Sequence, residues 1–302
     1  MKYINSDDFK LNNTVVTLGK FDGFHIGHMR LIEELKKNKN EFNTVVFTFD
    51  TSPLKVLGSD NNEILSKNER MNMYEKLEMD VVIEYPFDDR LMHMSPEEFV
   101  ENVIKAKLNA KKIIVGKDFR FGHKRAGDIE LLKKLSKIHN YELVVIDKVK
   151  YLCEDVSSTR IKSEINTGNI EAANEMLGYI YPICSKVISG KKIGRTLGFP
   201  TINQEVPFGK VIPLNGVYAS KILIDDKVYT GVTNIGCKPT LKNNNDINVE
   251  TYIFDFDEDV YEKTVCTMLY SYIRSERQFE NLEMLKEQIA KDKDTVKEFF
   301  EK

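Results

Sequence analysis

The sequence predicts an α/β domain with a doubly wound, mostly parallel sheet, followed by an all-β closed barrel and a C-terminal helix. Three observations predict it. Strand and helix patterns alternate between residues 14 and 146. From 183 to 274 only strand patterns recur, and 278–300 places Leu282, Leu285 and Ile289 on one helical face. At roughly 150 residues per domain, the 302-residue length allows two domains, and the change of texture puts their boundary near residue 180.

The elements follow in order. Thr14–Leu18 (TVVTL) is a β-branched run closed by Gly19. A helix follows, with Ile26, Met29, Ile32 and Leu35 on one face. Residues 44–49 form a second strand, and Ser66 with Glu69 is a capping-box signature for the next helix. Residues 81–83 form a third strand, and Ser95, Pro96 and Glu98 start another helix. Residues 112–115 form a fourth strand ended by Gly116, 128–138 a helix and Glu142–Ile146 a fifth strand. Two short helical patterns after residue 157 are separated by Gly168 and closed by Gly178. The barrel strands are then 183–188, Gly216–Ile224, 228–235, 247–256 and Thr264–Arg274, with Asp225-Asp226 as a hairpin turn lacking the usual glycine.

Composition narrows the function classes. Hydrophobic residues are 41% and charged residues 30%, ordinary for a globular protein, and the net charge of −3 gives no basic field for nucleic acid. No apolar run of about 18 residues appears, so no membrane span is expected, and the N-terminus has no signal-peptide core. Cys153, Cys184, Cys237 and Cys266 form no CxxC pair; reduced thiols in a cytoplasmic protein, monomeric or weakly self-associating, are the expectation. His93, His123 and His139 lack partners at metal-ligand spacing. The acidic run 254–259 lacks the glycine and terminal glutamate of a calcium loop and reads as a solvated turn.

In open parallel sheets, ligands bind beyond the carboxyl ends of the strands. Three distinctive segments lie there. Gly19-Lys20-Phe21-Asp22-Gly23-Phe24-His25-Ile26-Gly27-His28 joins the first strand to the first helix. His25 and His28 share a face at the helix start, Gly27 leaves room for a phosphate, and the free N–H groups and helix dipole attract an anion. Such a site can stabilise charge that builds on an α-phosphate under attack by another phosphate. HxGH after a first strand resembles the nucleotidyltransferase superfamily. The full GKFDGFHIGH run resembles the FMN adenylyltransferase module of bacterial FAD synthetases.

Two more segments extend that resemblance. Val115-Gly116-Lys117-Asp118-Phe119-Arg120-Phe121-Gly122 looks like the family's VGxDFxFG loop, which implies ATP contacts from Asp118 and Arg120. Ser157-Ser158-Thr159-Arg160-Ile161 resembles the SSTRI motif, whose hydroxyls, N–H groups and arginine suit a triphosphate, Arg160 taking a catalytic part beside the histidines. The sequence departs from the family at Thr48-Phe49-Asp50-Thr51-Ser52-Pro53, where Ser52 stands in place of a histidine; a kinase with weak or lost adenylyl transfer is therefore one alternative.

The second half carries Gly190-Lys191-Lys192-Ile193-Gly194-Arg195-Thr196-Leu197-Gly198-Phe199-Pro200-Thr201-Ile202-Asn203. A glycine-rich loop exposes N–H groups to phosphates, Lys192 adds positive charge, and Thr201 and Asn203 offer oxygen ligands to a hard ion such as Mg²⁺. The run resembles the riboflavin kinase signature, with GFPT-x-N at its centre. The likeness continues through Gly216-Val217-Tyr218-Ala219, 231–236, Val249-Glu250-Thr251 and Arg274-Ser275-Glu276. It implies Glu250 as the base for a hydroxyl proton, and Arg274 and Glu276 as flavin contacts. Together the resemblances imply a bifunctional enzyme: the C-terminal half phosphorylates riboflavin to FMN, and the N-terminal half adenylylates FMN to FAD, each with Mg²⁺ and ATP. A flavin- and ATP-binding sensor with little turnover is the alternative from another class.

Overall fold

A computed structural model of the chain describes residues 1–49, 62–190, 194, 197–237 and 247–301. The chain divides into two compact units, one of residues 1–62 and 67–157 and the other of 63–66 and 158–302.

The first unit is built on six parallel strands: β1 (Lys2–Ile4), β2 (Thr14–Leu18), β3 (Asn43–Phe49), β4 (Val81–Tyr85), β5 (Ala110–Gly116) and β6 (Glu142–Ile146), in spatial order β1-β4-β3-β2-β5-β6. From β2 the chain steps to β3 and β4 on one side, then to β5 and β6 on the other. The order therefore reverses between β2 and β5, and the loops leaving those two strands share one crevice. Every residue of β2 and β4 is buried, as expected of parallel strands covered on both faces.

The crossover helices are α1 (Ile26–Lys36), α2 (Lys67–Lys76), the short α3 (Asp89–His93) and α4 (Pro96–Phe99), and α5 (Ile129–His139). The chain runs from α4 straight into a π-helical stretch, Val100–Lys107. Ser95 and Glu98 make the full capping box the sequence implied, with Pro96 in the first turn. The edge strand β1, three residues long and half exposed, was not legible in the sequence.

The second unit opens with α6 (Ser158–Thr167) and α7 (Ile170–Leu177), and continues as a closed antiparallel barrel. Its strands are β9 (Tyr181–Ile188), β10 (Thr201–Glu205), β11 (Gly216–Ile224), β12 (Lys227–Cys237), β13 (Ile247–Ile253) and β14 (Thr264–Arg274), ordered β10-β13-β12-β11-β14-β9 around the wall. The short hairpin β7 (Lys150–Tyr151) and β8 (Glu154–Asp155) precedes this unit. The final helix, α8 (Leu282–Glu301), packs Val296 against Val217, Val232 and Phe254 on the outer barrel wall.

The compact units divide after Ser157, not near 180, because α6 and α7 are tied to the barrel. Asn174 Nδ2 donates to the Leu269 carbonyl at 2.9 Å, and its Oδ1 accepts from the Tyr181 N–H at 2.7 Å. The Leu214 N–H bonds the Ile165 carbonyl. Five strand runs were expected in the barrel and six are present. The sixth, β10, is polar (TINQE) and begins inside the glycine-rich segment read as a loop. Asp225 and Asp226 take φ of 45° and 66°, the left-handed pair that a two-residue hairpin turn requires.

Alternation along β13 buries Val249, Thr251 and Ile253 while Asn248, Glu250 and Tyr252 stay half-buried on the outer face. The barrel interior is partly polar but satisfied. Ser220, Thr233 and Thr251 form a hydroxyl chain with links of 2.7 and 2.9 Å, and Gln204 Nε2 donates to the Val265 carbonyl and its Oε1 accepts from the Thr267 hydroxyl.

The expectation of reduced thiols is corrected for one pair. Cys184 on β9 and Cys266 on β14 are directly opposed, with Cα atoms 4.0 Å apart, and form a disulfide; their separation of 82 residues concealed the pairing. Cys153 is free and exposed.

Candidate active sites

The first site begins where β2 ends. Phe21 and Phe24 turn into the core with positive φ (50° and 42°), and both are fully buried. They fix the turn so that His25 arrives as the N-cap of α1. His25 Nδ1 accepts the backbone N–H of His28 at 3.3 Å. That bond fixes the neutral ring as the Nε2–H tautomer, which presents a donor. The two imidazoles stack with centroids 3.6 Å apart.

Gly27 also serves a neighbouring side chain. A Cβ there would sit 3.1 Å from the His25 ring, so the glycine makes room for that imidazole to fold back over the helix start. Burial pushes His25 down to about 4, against the pull of Asp22 and Asp118. Burial, then the charge of His25, pushes His28 well below its ordinary value. Both rings are therefore neutral near pH 7. His28 Nδ1 is buried without a partner.

That Asp118 acts on His25 places the loops after β2 and β5 together, as the strand order requires. In that second loop a Cβ on Gly116 would meet Asp118 Oδ1 at 3.3 Å. Asp118 pairs with Lys148 at 3.2 Å, and Arg120 lies 3.8 Å from Asp128. On the first loop, Gly19 packs under the Phe21 ring, Gly23 takes φ of 83°, and Asp22 is buried 3.8 Å from Lys20. Of the SSTRI run, Ser157 ends the first unit, while Ser158, Thr159 and Arg160 open α6 in the second. Ser52 lies outside the described residues.

The second site lies on the outer wall of the barrel, not in its interior. A cavity of about 630 Å³ is bounded by β10, β12 and β13, the glycine-rich segment and the first half of α8. Its polar floor is set by register. Asn203 on β10 and Asn234 on β12 flank Glu250 on β13, one on each side. The Thr201 hydroxyl donates to Glu250 Oε1 at 2.6 Å, and Asn248 Nδ2 donates to Asn203 Oδ1 at 2.9 Å.

The glycines close over this floor. A Cβ on Gly190 would fall 2.3 Å from the Asn203 amide, and one on Gly194 would fall 2.4 Å from the Phe199 carbonyl. Gly198 takes φ of 84° before Phe199-Pro200 leads into β10. Lys192 lies outside the described residues. Glu276 lies against Gly236 and accepts from Asn234 at 3.2 Å.

Arg274 does not point a free guanidinium into the cavity. It forms a two-point ion pair with Asp292 on α8, Nε to Oδ1 at 2.8 Å and Nη2 to Oδ2 at 2.6 Å. Sequence reasoning missed Asn234, Asn248, Tyr252 and Asp292. Strand register to Glu250 would have picked out the first two.

The donors available to a cation are Thr201 Oγ1 and Asn203 Oδ1, with Asn248 Oδ1 buried beside them and lacking a partner. An all-oxygen set of this kind fits Mg²⁺. Among the described residues no group of three His, Cys, Asp or Glu side chains could hold a metal, so phosphate oxygens must complete any such shell.

Two family descriptions match this chain in tandem, FAD synthetase over residues 8–160 and riboflavin kinase over 177–300. A protein of Buchnera aphidicola described as a bifunctional riboflavin kinase/FMN adenylyltransferase is 37% identical, over 99% of this chain and 96% of its own length. The chain belongs to the bifunctional riboflavin kinase/FMN adenylyltransferase family. Family members of the same description from Listeria monocytogenes and Escherichia coli K12 are each 33% identical, covering 99% and 95% of this chain and 96% and 92% of their own. A crystal structure from Streptococcus pneumoniae, described as a macrolide-efflux protein, superposes with a TM-score of 0.90 at 29% identity, over 98% of this chain and 99% of that one. Among the described residues no helix of this family member is long and apolar enough to cross a membrane.

Proposed function

We propose that this chain makes FAD from riboflavin in two ATP-dependent steps. The second unit phosphorylates riboflavin, and the first unit adenylylates the resulting FMN. The observation that carries the reading is Glu250. Its carboxylate accepts from Thr201 at 2.6 Å and stands between Asn203 and Asn234 in the wall of a cavity large enough for a flavin.

In the kinase step the riboflavin 5′-hydroxyl gives its proton to Glu250 while its oxygen bonds the γ-phosphorus of ATP. The bond from that phosphorus to the β-phosphate oxygen breaks, and ADP leaves. With one carboxylate oxygen held by Thr201, the other is left to take the proton. Positioning and charge neutralisation supply most of the catalysis in such transfers. The glycine-rich segment offers backbone N–H groups to the phosphates. Thr201 and Asn203 would hold Mg²⁺, which when bound neutralises charge on the transferring phosphates.

In the adenylyl step an FMN phosphate oxygen bonds the α-phosphorus of a second ATP, and pyrophosphate leaves. Neutral His25 presents an Nε2–H to the phosphate oxygens as charge develops, and the α1 N-terminus adds its dipole. No proton need move to or from either ring. Gly19, Phe21, Asp22, Gly23 and Gly27 shape the phosphate side of this crevice, and Asp118 and Arg120 its adenosine side. ATP use at both sites assigns the working enzyme to the cytoplasm. The test is a chromatographic time course from riboflavin and Mg-ATP. Wild type is expected to make FMN and then FAD, and His28→Ala to accumulate FMN. A wild type that binds flavin but forms neither product would sink the reading and favour a sensor.

A further inference from the structure

The terminal helix α8 is 20 residues long, yet only Asp292 and Val296 are buried on it. Val296 sits in an apolar cluster on the barrel wall, and Lys293 lies over the Tyr252 and Phe254 rings. Among the described residues no residue of α8 before Asp292 is buried. Leu285 and Ile289 line the cavity and stay half-buried. Val217, Val232, Leu197 and Phe199 line the same cavity. Leu285 and Ile289 thus add an apolar wall above the polar floor, a slot for a planar ring.

The Arg274–Asp292 pair ties that wall to β14. Asp292 receives both bonds of the Arg274 fork and a third from Gln288 Nε2 at 2.9 Å, so its two oxygens carry three donors. Arg274 Nη1 also donates to the Ser275 carbonyl at 2.8 Å, which fixes the guanidinium plane at the end of β14. The pair is nearly dry, with side-chain exposures of 16% and 5%. A buried ion pair gives little net stability over an apolar substitute, but its two-point geometry defines one orientation of helix on strand.

We infer that Asp292 is a positioning residue for the flavin: by clamping Arg274 it holds the Leu285–Ile289 wall at the spacing an isoalloxazine ring needs. Arg274 acts in the clamp and not as a direct ionic contact to the ligand. The inference rests on the kinase reading of this cavity.

The test titrates riboflavin fluorescence in the presence of Mg-ADP, with steady-state kinetics alongside. Asp292→Asn keeps the shape but removes the charge. Its riboflavin Kd is expected to rise about tenfold or more, while kcat at saturating riboflavin stays within about threefold and the ATP KM within about twofold. Asp292→Glu should recover part of the affinity, and Gln288→Leu, which removes one donor from a half-buried position, should weaken binding by about twofold to threefold. The Gln288 variant keeps the question open to test even if Asp292→Asn folds poorly. Backbone amides of 282–291 should exchange faster in both variants, and riboflavin should slow them in wild type. An unchanged Kd, or equal losses in kcat and in both KM values, would overturn the inference. Failure of wild type to bind riboflavin would instead overturn the kinase reading.

Discussion

Replacing Glu250 by glutamine tests the kinase chemistry with little structural disturbance. The glutamine oxygen can still accept the Thr201 hydroxyl that reaches Glu250 Oε1 at 2.6 Å. The neighbours across the sheet, Asn203 and Asn234, keep their register, because that register is set by backbone bonds of β10, β12 and β13. Substrate binding should therefore survive, with KM values for riboflavin and ATP within about threefold. What disappears is the carboxylate proposed to take the 5′-hydroxyl proton. A positioned general base contributes about 10²–10⁴-fold, so kcat for FMN formation should fall by that factor, a barrier increase of about 3–5 kcal/mol. Conversion of supplied FMN to FAD, which draws on His25 and His28 in the other unit, should stay at the wild-type rate. A chromatographic time course from each starting flavin reads both numbers in one experiment. A Glu250→Gln enzyme that retains kcat within about fivefold would refute the assignment of Glu250 as base.

Three further outcomes follow from the geometry. His25 is buried neutral, with its ordinary value of 6.5 lowered to about 4. As pH falls below 6.5 the unfolded chain takes up a proton that the folded chain refuses until about 4, so stability should drop across that window, by on the order of 3 kcal/mol for this group. His25→Gln should flatten the Tm–pH curve there, and parallel curves would contradict the burial argument. Gly190→Ala places a methyl 2.3 Å from the Asn203 amide, which Asn248 also holds. Riboflavin phosphorylation should fall by about tenfold or more with FMN adenylylation untouched, and an unimpaired kinase would show that Asn203 is not needed where it stands. Thr233→Val breaks the interior chain between Ser220 and Thr251 and leaves a buried Thr251 hydroxyl short of a partner. Chemical denaturation should show a loss of about 1–3 kcal/mol, and kcat, set on the opposite face of the wall, should hold.

Much of the fold was legible because its signals are local. Buried runs such as TVVTL and Asn43–Phe49, the Ser95–Glu98 capping box and the Asp225-Asp226 turn each carry their own physical reason in sequence. The misses are of the opposite kind. β1 is three residues, of which only Ile4 is buried, that become a strand by pairing with β4. β10 is polar on its outer face because it carries the site, so it has no apolar alternation to betray it. The disulfide joins residues that are neighbours only once β9 and β14 are paired.

The sites divide along the same line. His25 and His28 stood out because residues three apart at a helix start share a face, and Thr201 and Asn203 because their oxygens follow a glycine-rich run. Arg274 was legible as a residue but not as a role. A guanidinium near a flavin cavity reads in sequence as a ligand contact, and nothing local reveals that Asp292, eighteen positions later on a helix, accepts both ends of its fork. Partners that arrive from another element decide whether a charged group faces substrate or scaffold. For the same reason the closeness of Gly27 to the His25 ring was not legible. A residue type at a given spacing limits the chemistry available. Which atom it is spent on is fixed by packing, and in this chain Arg274 spends two of its donors on Asp292.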